Sequence, residues 1–219
     1  MAVDKNLEVL WYWPNIVGYA RIITAFIAFF FMPINPWLTF WFYMFSFAAD
    51  GLDGYLARLF HQSTRFGACL DMITDRFATA CLCLVLARFY PDWTLLLQAE
   101  VALDLSSHYI QMYASLSTGK SSHKSMDETK SRLMRLYYEH RSVLATLCAG
   151  NEVFFVCAYM LHWYPTSMFW LVLFVISVPF IVLKQLINVI QLCSASMALI
   201  DLDTTPPVME VRKDAALVE

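Results

Sequence analysis

The sequence predicts an all-α, polytopic membrane protein with a six-transmembrane-helix bundle. Hydrophobic residues make up 59% of its 219 residues and charged residues only 15%, which exceeds what the core of a soluble domain of this length needs. The chain contains about six apolar runs of roughly 20 residues, each long enough to span a bilayer. Lysine and arginine are concentrated in two of the connections between these runs. We therefore expect most of the chain to lie in a lipid bilayer.

The apolar runs follow one another with mostly short connections. They cover residues 16–32, 37–49 with an extension through the polar segment that follows, 68–90, 94–116, 143–164 and 168–199. The first run has no features of a removable signal peptide, so we expect it to be retained. Pro179 predicts a kink in the last run. We expect one six-helix transmembrane domain over residues 1–200 and a polar cytoplasmic tail over residues 201–219.

The distribution of basic residues predicts the orientation. Arg58 and Arg65 follow the second run, and six more follow the fourth: Lys120, Lys124, Lys130, Arg132, Arg135 and Arg141. The other connections are nearly free of basic residues, so the positive-inside rule places both termini and the two basic connections in the cytoplasm. Within the second basic connection, residues 127–138 combine helix-forming and basic residues, which predicts a short helix at the lipid headgroups.

Composition also excludes several classes of function. The formal net charge of −3 argues against a nucleic-acid partner. The six cysteines all lie in apolar segments without a CxxC pair, which favours small buried side chains over a metal site or a disulfide framework.

Four aspartates stand out because they lie within or beside apolar runs. Asp50 and Asp53 are three residues apart and Asp71 and Asp75 are four apart, so each pair projects from one face of its helix. Each acid at a bilayer centre costs roughly 2.5–3.5 kcal/mol without a partner. An antiparallel arrangement of the two helices brings the four acids together, and oxygen ligands of this kind suit Mg²⁺ or Mn²⁺ with a diphosphate as the remaining ligand.

Residues around the aspartates are suited to a phosphate-containing ligand. Gly54 and Ala57 lie on the same face as Asp50 and Asp53 and leave the backbone bare for a flat group such as a nucleobase. Arg58 and Thr64 offer a charge-assisted donor and a hydroxyl for phosphate oxygens. For the glycines, which include Gly67, helix packing is an equally good explanation, and Arg58 has an alternative role at the lipid headgroups.

The motif resembles that of a known family. Eight residues match the pattern D-x2-D-G-x2-A-R-x8-G-x3-D-x3-D of the CDP-alcohol phosphatidyltransferases at every position: Asp50, Asp53, Gly54, Ala57, Arg58, Gly67, Asp71 and Asp75. The chain is most similar to the eukaryotic members of this family that use myo-inositol. That similarity extends over PNIVGYARI (14–22), STRFGACLDMITDR (63–76), SSHKSMD (121–127), RLYYEHR (135–141) and LCAGNE (147–152).

The resemblance implies a reaction and its cofactors. Residues 1–200 would form a catalytic domain that transfers the phosphatidyl group from CDP-diacylglycerol to myo-inositol, giving phosphatidylinositol and CMP. Two divalent ions, Mg²⁺ or Mn²⁺, would be held by Asp50, Asp53, Asp71 and Asp75, with Asp75 also taking the proton from inositol. The residues implied for CDP-diacylglycerol are Gly54, Ala57, Arg58, Thr64 and Gly67. The resemblance further implies a homodimer in the endoplasmic reticulum membrane, with the active site toward the cytoplasm.

Selection of inositol requires polar groups at membrane depth. We predict Asp104 and His108 on the fourth helix and Asn151 and Glu152 on the fifth as inositol-binding residues. A structural role as a hydrogen-bonded core histidine is the alternative for His108.

Two other functions remain open from the sequence. The same chemistry with a different acceptor, such as glycerol 3-phosphate or serine, is one, since the basic connection at 119–140 would suit a phosphorylated acceptor. A cation-coupled transporter is the other, because intramembrane acids often mark ion pathways. The chain shows no internal repeat of the kind expected for a transporter.

Overall fold

The computed structural model describes residues 7–118 and 141–204, and these residues form six long α-helices and no β-strand. The helices are α1 Trp13–Phe31, α2 Pro36–Leu59, α3 Arg65–Phe89, α4 Thr94–Thr118, α5 Arg141–Trp163 and α6 Met168–Thr204. Short 3₁₀ turns, Val9–Trp11 and Pro91–Trp93, precede α1 and α4. The all-α prediction is confirmed, and each helix coincides with one predicted apolar run.

Two of these helices, α1 and α6, are long and apolar enough on their own to cross a membrane. The other four helices do not meet this combined criterion of length and apolar composition. Each of them carries at least two charged residues. The second run continues as one helix through the aspartate motif to Leu59. The helical fold and its apolar helices are thus consistent with a membrane protein.

Several predictions concern residues at or beyond the limits of this description. The predicted headgroup helix at 127–138 lies outside the described residues, as do residues 205–219 of the predicted tail. The last helix is continuous through Pro179 and ends at Thr204, a few residues beyond the boundary predicted at 200.

Side-chain caps explain where α2 and α3 begin. Asn35 adopts an extended backbone, and its side chain accepts hydrogen bonds from the backbone N–H groups of Trp37 and Leu38. Pro36 occupies the first turn, where its missing N–H leaves no hydrogen bond unmade. Thr64 caps α3 in the same way by accepting from Gly67 N at 3.0 Å. These caps supply partners for N–H groups that a helix cannot satisfy internally.

A tight reversal joins α2 to α3 at the level of the aspartates. His61 has a φ of 54°, the left-handed conformation that commonly ends a helix. Gln62 N donates to Ala57 O at 3.0 Å, and His61 N donates to Arg58 O at 3.4 Å. This pair of bonds forms a Schellman motif. Gln62 Oε1 also accepts from Trp13 N at 3.0 Å, which ties the start of α1 to the reversal.

The chain comprises two compact units. The first comprises Met1–Val101 and Gly150–Pro179. In this unit α1 packs along α2, and Ser46 Oγ donates to Arg21 O at 2.9 Å. The Tyr159 hydroxyl donates to Met32 O at 2.8 Å, which joins α5 to the end of α1. Buried apolar residues of this unit include Ala25, Ala28, Leu82, Leu86, Phe155 and Met160.

The second unit comprises Ala102–Ala149 and Phe180–Glu219. Leu147 and Ile187 are buried there and pack against Val143, Phe180 and Ile190. This contact joins the first part of α5 to the second half of α6.

We predict that Tyr159→Phe destabilises the first unit. The substitution removes the hydroxyl that donates to Met32 O at a buried position, so the free energy of unfolding should fall by about 1 kcal/mol. Thermal unfolding of the purified protein in detergent measures the change. Tyr109→Phe is the matched control because Tyr109 is 62% exposed. Equal midpoints for the two variants would contradict the prediction.

Candidate active site

The ends of α2 and α3 bring the four predicted aspartates to one place. Carboxylate oxygens of Asp50, Asp53 and Asp71 lie within 4.8 Å of one another. Asp75 belongs to the same cluster, because one cationic side chain contacts Asp75 as well as the other three aspartates. The reversal at His61 makes this convergence possible, since it turns the chain back between the two pairs of acids. The predicted carboxylate cluster is therefore present in the structure.

The shared partner is Arg21 of α1, a residue that the sequence analysis did not single out. Its Nη1 lies 2.9 Å from Asp50 Oδ1, 2.6 Å from Asp53 Oδ2 and 2.7 Å from Asp71 Oδ1. Its Nη2 donates to Asp75 Oδ1. The signal in the sequence was the position of Arg21 as the single charged residue of the first apolar run. A charge within a membrane span requires a partner, and acids on neighbouring spans are the obvious ones.

The arrangement of donors fits divalent cations. All four aspartates offer oxygen atoms, the ligands that Mg²⁺ and Mn²⁺ prefer. The four carboxylates outnumber the two guanidinium groups beside them, Arg21 and Arg76, and further cations would balance the remaining acids. The Asp50 and Asp71 side chains are 40% and 46% exposed, so a ligand can reach them from outside the protein. Asp53 lies deeper, with a side chain 10% exposed.

Comparison with known proteins identifies the family. The model for the CDP-alcohol phosphatidyltransferase family matches residues 11–200. The chain belongs to the CDP-alcohol phosphatidyltransferase family. No solved structure is significantly similar to this phosphatidyltransferase.

Relatives with assigned names cover most of the chain. A protein of Candida albicans is 50% identical over 198 residues, which cover 90% of this chain and 85% of the relative. A protein of Saccharomyces cerevisiae is 47% identical, covering 90% of this chain and 89% of the relative. A human protein is 41% identical, covering 91% of this chain and 95% of the relative. All three are named CDP-diacylglycerol–inositol 3-phosphatidyltransferase.

The residues predicted to bind the nucleotide lie beside the carboxylates of this phosphatidyltransferase. A Cβ built on Gly54 would lie 3.5 Å from Arg58 Nη1, so the exposed guanidinium lies over the bare backbone of α2. Ala57 is half-buried one turn along the same helix. At the start of α3, Thr64 Oγ1 accepts a hydrogen bond from Gly67 N.

Gly67 is closely surrounded, and its neighbour Asn15 is a second residue that the sequence analysis missed. A Cβ built on Gly67 would lie 2.8 Å from Asn15 Oδ1 and 3.2 Å from Thr64 Oγ1. Asn15 is buried, and its Nδ2 donates to Val9 O at 2.5 Å. The amide therefore has little freedom to move aside. Gly67 is required here because its missing side chain allows α1 and α3 to approach closely.

Glu152, predicted as an inositol ligand, has a buried hydrogen-bond network of its own. The Tyr43 hydroxyl donates to Glu152 Oε2 and the Thr79 hydroxyl donates to Glu152 Oε1, both at 2.7 Å. Thr79 Oγ1 also lies 3.2 Å from the backbone oxygen of Asp75. Glu152 thereby joins α2, α3 and α5. Its contact on α3, Thr79, lies one helical turn from Asp75. Its neighbour Asn151 is buried, and Asn151 Oδ1 has no hydrogen-bond partner among the residues that the structure describes.

The other two predicted inositol ligands belong to the second unit. Asp104 Oδ1 accepts a hydrogen bond from Asn188 Nδ2 at 3.1 Å and lies 3.9 Å from Lys184 Nζ. His108 Nδ1 lies 2.8 Å from the backbone oxygen of Asp104. Lys184 Nζ donates to Asn188 Oδ1 at 2.6 Å. These contacts form a buried polar network between α4 and the second half of α6.

We predict that Gly67→Ala perturbs the start of α3. The added methyl group would push on Asn15 Oδ1 and on the capping hydroxyl of Thr64, so both stability and affinity for CDP should fall. Overpacking of this kind costs about 1–3 kcal/mol. Thermal unfolding and CDP binding by calorimetry report the two effects.

Gly51→Ala is the matched control for Gly67→Ala, because no atom lies within 4 Å of a Cβ built on Gly51. Alanine at this helical position should leave stability unchanged or raise it. The prediction fails if the two alanine variants unfold at the same temperature.

We also predict that Glu152→Leu destabilises the protein, because it leaves the buried Tyr43 hydroxyl without its carboxylate acceptor and leaves Thr79 with only its longer contact to Asp75 O. The cost should be about 2 kcal/mol or more, measured as a lower midpoint of thermal unfolding. Glu152→Gln keeps one carbonyl oxygen at the site and should retain part of this stability. A leucine variant as stable as the unmodified protein would refute the prediction.

Proposed function

We propose that this protein transfers the phosphatidyl group of CDP-diacylglycerol to myo-inositol and releases CMP. The observation that carries the proposal is the convergence of Asp50, Asp53, Asp71 and Asp75 on one site in a member of this family. The relatives named as inositol 3-phosphatidyltransferases support the choice of acceptor, since they match along most of the chain.

The four aspartates would hold two divalent ions, Mg²⁺ or Mn²⁺. When bound, such ions neutralise the diphosphate and stabilise the departing CMP. Asp50 and Asp71 would be the ligands most accessible to an incoming ion, because their side chains are the more exposed. Asp53 is held deeper by the packing of α2 against α1.

Asp75 is proposed as the general base. Its carboxylate takes the proton of the attacking inositol hydroxyl as the inositol oxygen bonds to the phosphorus that carries the diacylglycerol. The bond from that phosphorus to the bridging oxygen breaks, and CMP leaves with the electron pair. Arg76 Nη2 lies 3.6 Å from Asp75 Oδ2, so a cation also supports the carboxylate from its own helix.

The remaining predicted residues have proposed roles in binding. Gly54, Ala57 and Gly67 would leave room for the nucleotide, while Arg58 and Thr64 would contact phosphate oxygens. Asn151 is the better supported of the two inositol candidates on α5, because its amide oxygen has no hydrogen-bond partner among the described residues and could accept from a hydroxyl. Both oxygens of Glu152 already accept hydrogen bonds, so we propose that Glu152 supports the site from behind. Asp104 and His108 remain proposed contacts.

The cellular setting is part of the proposal. Six membrane spans, with the carboxylates toward the cytoplasm, would let the acyl chains of the donor stay in the bilayer while soluble inositol arrives from the cytoplasm. We propose residence in the endoplasmic reticulum membrane and a homodimer as the working form.

An acceptor assay tests the proposal. The purified protein is given CDP-diacylglycerol with Mn²⁺ or Mg²⁺ and either myo-inositol, glycerol 3-phosphate or serine, and both CMP and the lipid product are measured. We expect inositol to be the productive acceptor, and chelation of the metal should stop the reaction. CMP release that is independent of inositol, or equal with glycerol 3-phosphate, would rule out the proposed acceptor.

We predict that Asp75→Asn lowers turnover by a factor of about 10² to 10⁴, because the amide cannot take the proton from the acceptor. Release of CMP at saturating inositol measures the effect. Asp92→Asn is the matched control, since Asp92 is an exposed acid on the connection after the far end of α3. Equal turnover by the two variants would remove Asp75 from its proposed role.

A further inference from the structure

Arg21 occupies the position at which a metal ion would contact the carboxylates. Nη1 contacts three aspartates within 2.9 Å, and Nη2 contacts the fourth. Among them are the three acids, Asp50, Asp53 and Asp71, whose oxygens are spaced to hold one ion. The guanidinium and a divalent cation therefore require the same carboxylates.

The surroundings of Arg21 hold its side chain at the site. Arg21 is 1% exposed, and its Nε donates to Ser46 O at 3.2 Å. The Ser46 hydroxyl in turn donates to Arg21 O. This reciprocal pair anchors both the backbone and the base of the guanidinium to α2. The contacts with the aspartates involve only the two terminal nitrogens.

We infer that Arg21 acts as a resident cation that holds the four carboxylates together in the metal-free protein and competes with divalent cations for them. This inference rests on the proposed function, which supplies the metal ions. It assigns Arg21 a positioning role, because the residue acts through the aspartates. Arg21 thus sets the affinity of the site for metal as well as its shape.

Competition predicts a link between metal binding and the donor. When a metal ion takes the carboxylates, a buried guanidinium loses its counter-charges and requires another anion. The diphosphate of CDP-diacylglycerol is the anion that arrives at this site, and guanidinium groups bind phosphate oxygens well. Binding of metal and of nucleotide diphosphate should therefore reinforce each other, and by linkage each should strengthen the other equally.

The first experiment measures Mn²⁺ affinity of the purified full-length protein by electron paramagnetic resonance, without nucleotide. Arg21→Gln removes the competing cation, and we expect about tenfold tighter binding or more, which corresponds to about 1.4 kcal/mol. The midpoint of thermal unfolding in EDTA should fall, and Mn²⁺ should raise it by more than in the unmodified protein. Arg88→Gln is the matched control, because Arg88 is an exposed arginine in the last turn of α3.

Arg21→Lys distinguishes direct competition from a general effect of charge. Lysine keeps the positive charge, but a single ammonium cannot reproduce the two-nitrogen contact with four carboxylates. Direct competition predicts Mn²⁺ binding tighter than in the unmodified protein. An unchanged affinity for Arg21→Lys would overturn the inference in favour of simple electrostatics. If Arg21→Gln fails to fold, the Mn²⁺ affinity of Arg21→Lys still tests direct competition.

The second measurement repeats the Mn²⁺ titration with CDP present. We expect CDP to tighten Mn²⁺ binding more in the unmodified protein than in Arg21→Gln. Equal or weaker Mn²⁺ binding by a folded Arg21→Gln variant contradicts the inference even if CMP release from inositol is confirmed. Conversely, tighter Mn²⁺ binding by that variant supports it even if the acceptor assay shows no reaction with inositol.

Discussion

The mutual repulsion of four carboxylates, balanced by one buried guanidinium, is the interaction on which the first unit depends. Like charges held this close repel one another, and a cation between them opposes the separation of the ends of α2 and α3. Arg21 provides that cation from a third helix. The close approach of α1 to α3, which Gly67 permits, brings its guanidinium within reach. The electrostatics of the site therefore depends on how α1, α2 and α3 pack together.

A group of polar contacts next to the aspartates fixes the position of α3 along α2. Glu152 receives the hydroxyls of Tyr43 and Thr79, one from each of the helices that carry the aspartates. Thr79 lies one turn from Asp75, so a sliding movement of α3 along α2 would break a buried hydrogen bond. The three residues thus restrain the register between α2 and α3. This register keeps all four carboxylates within reach of the same Arg21 guanidinium.

The helices and the carboxylate cluster were predictable from the sequence because both follow from local rules. Apolar length predicts helices, and spacings of three and four place each pair of aspartates on one face. The partners of those acids were not predictable in the same way, because Arg21 lies 32 residues before Asp53 in the chain and its pairing depends on how three helices meet. Glu152 shows a similar limit, since its polarity suggested a ligand while its neighbours show that both oxygens are already used.

Folding and catalysis place opposite demands on this site. Four unpaired acids held together would repel one another, so a cation supplied by the chain itself favours the fold. The same cation lies among the carboxylates that we propose as metal ligands. The anchoring of Nε to Ser46 O offers a way to satisfy both demands, because the terminal nitrogens can leave the carboxylates while the side chain stays attached to α2. A lysine would lack this second point of attachment, which is a physical reason for arginine at position 21.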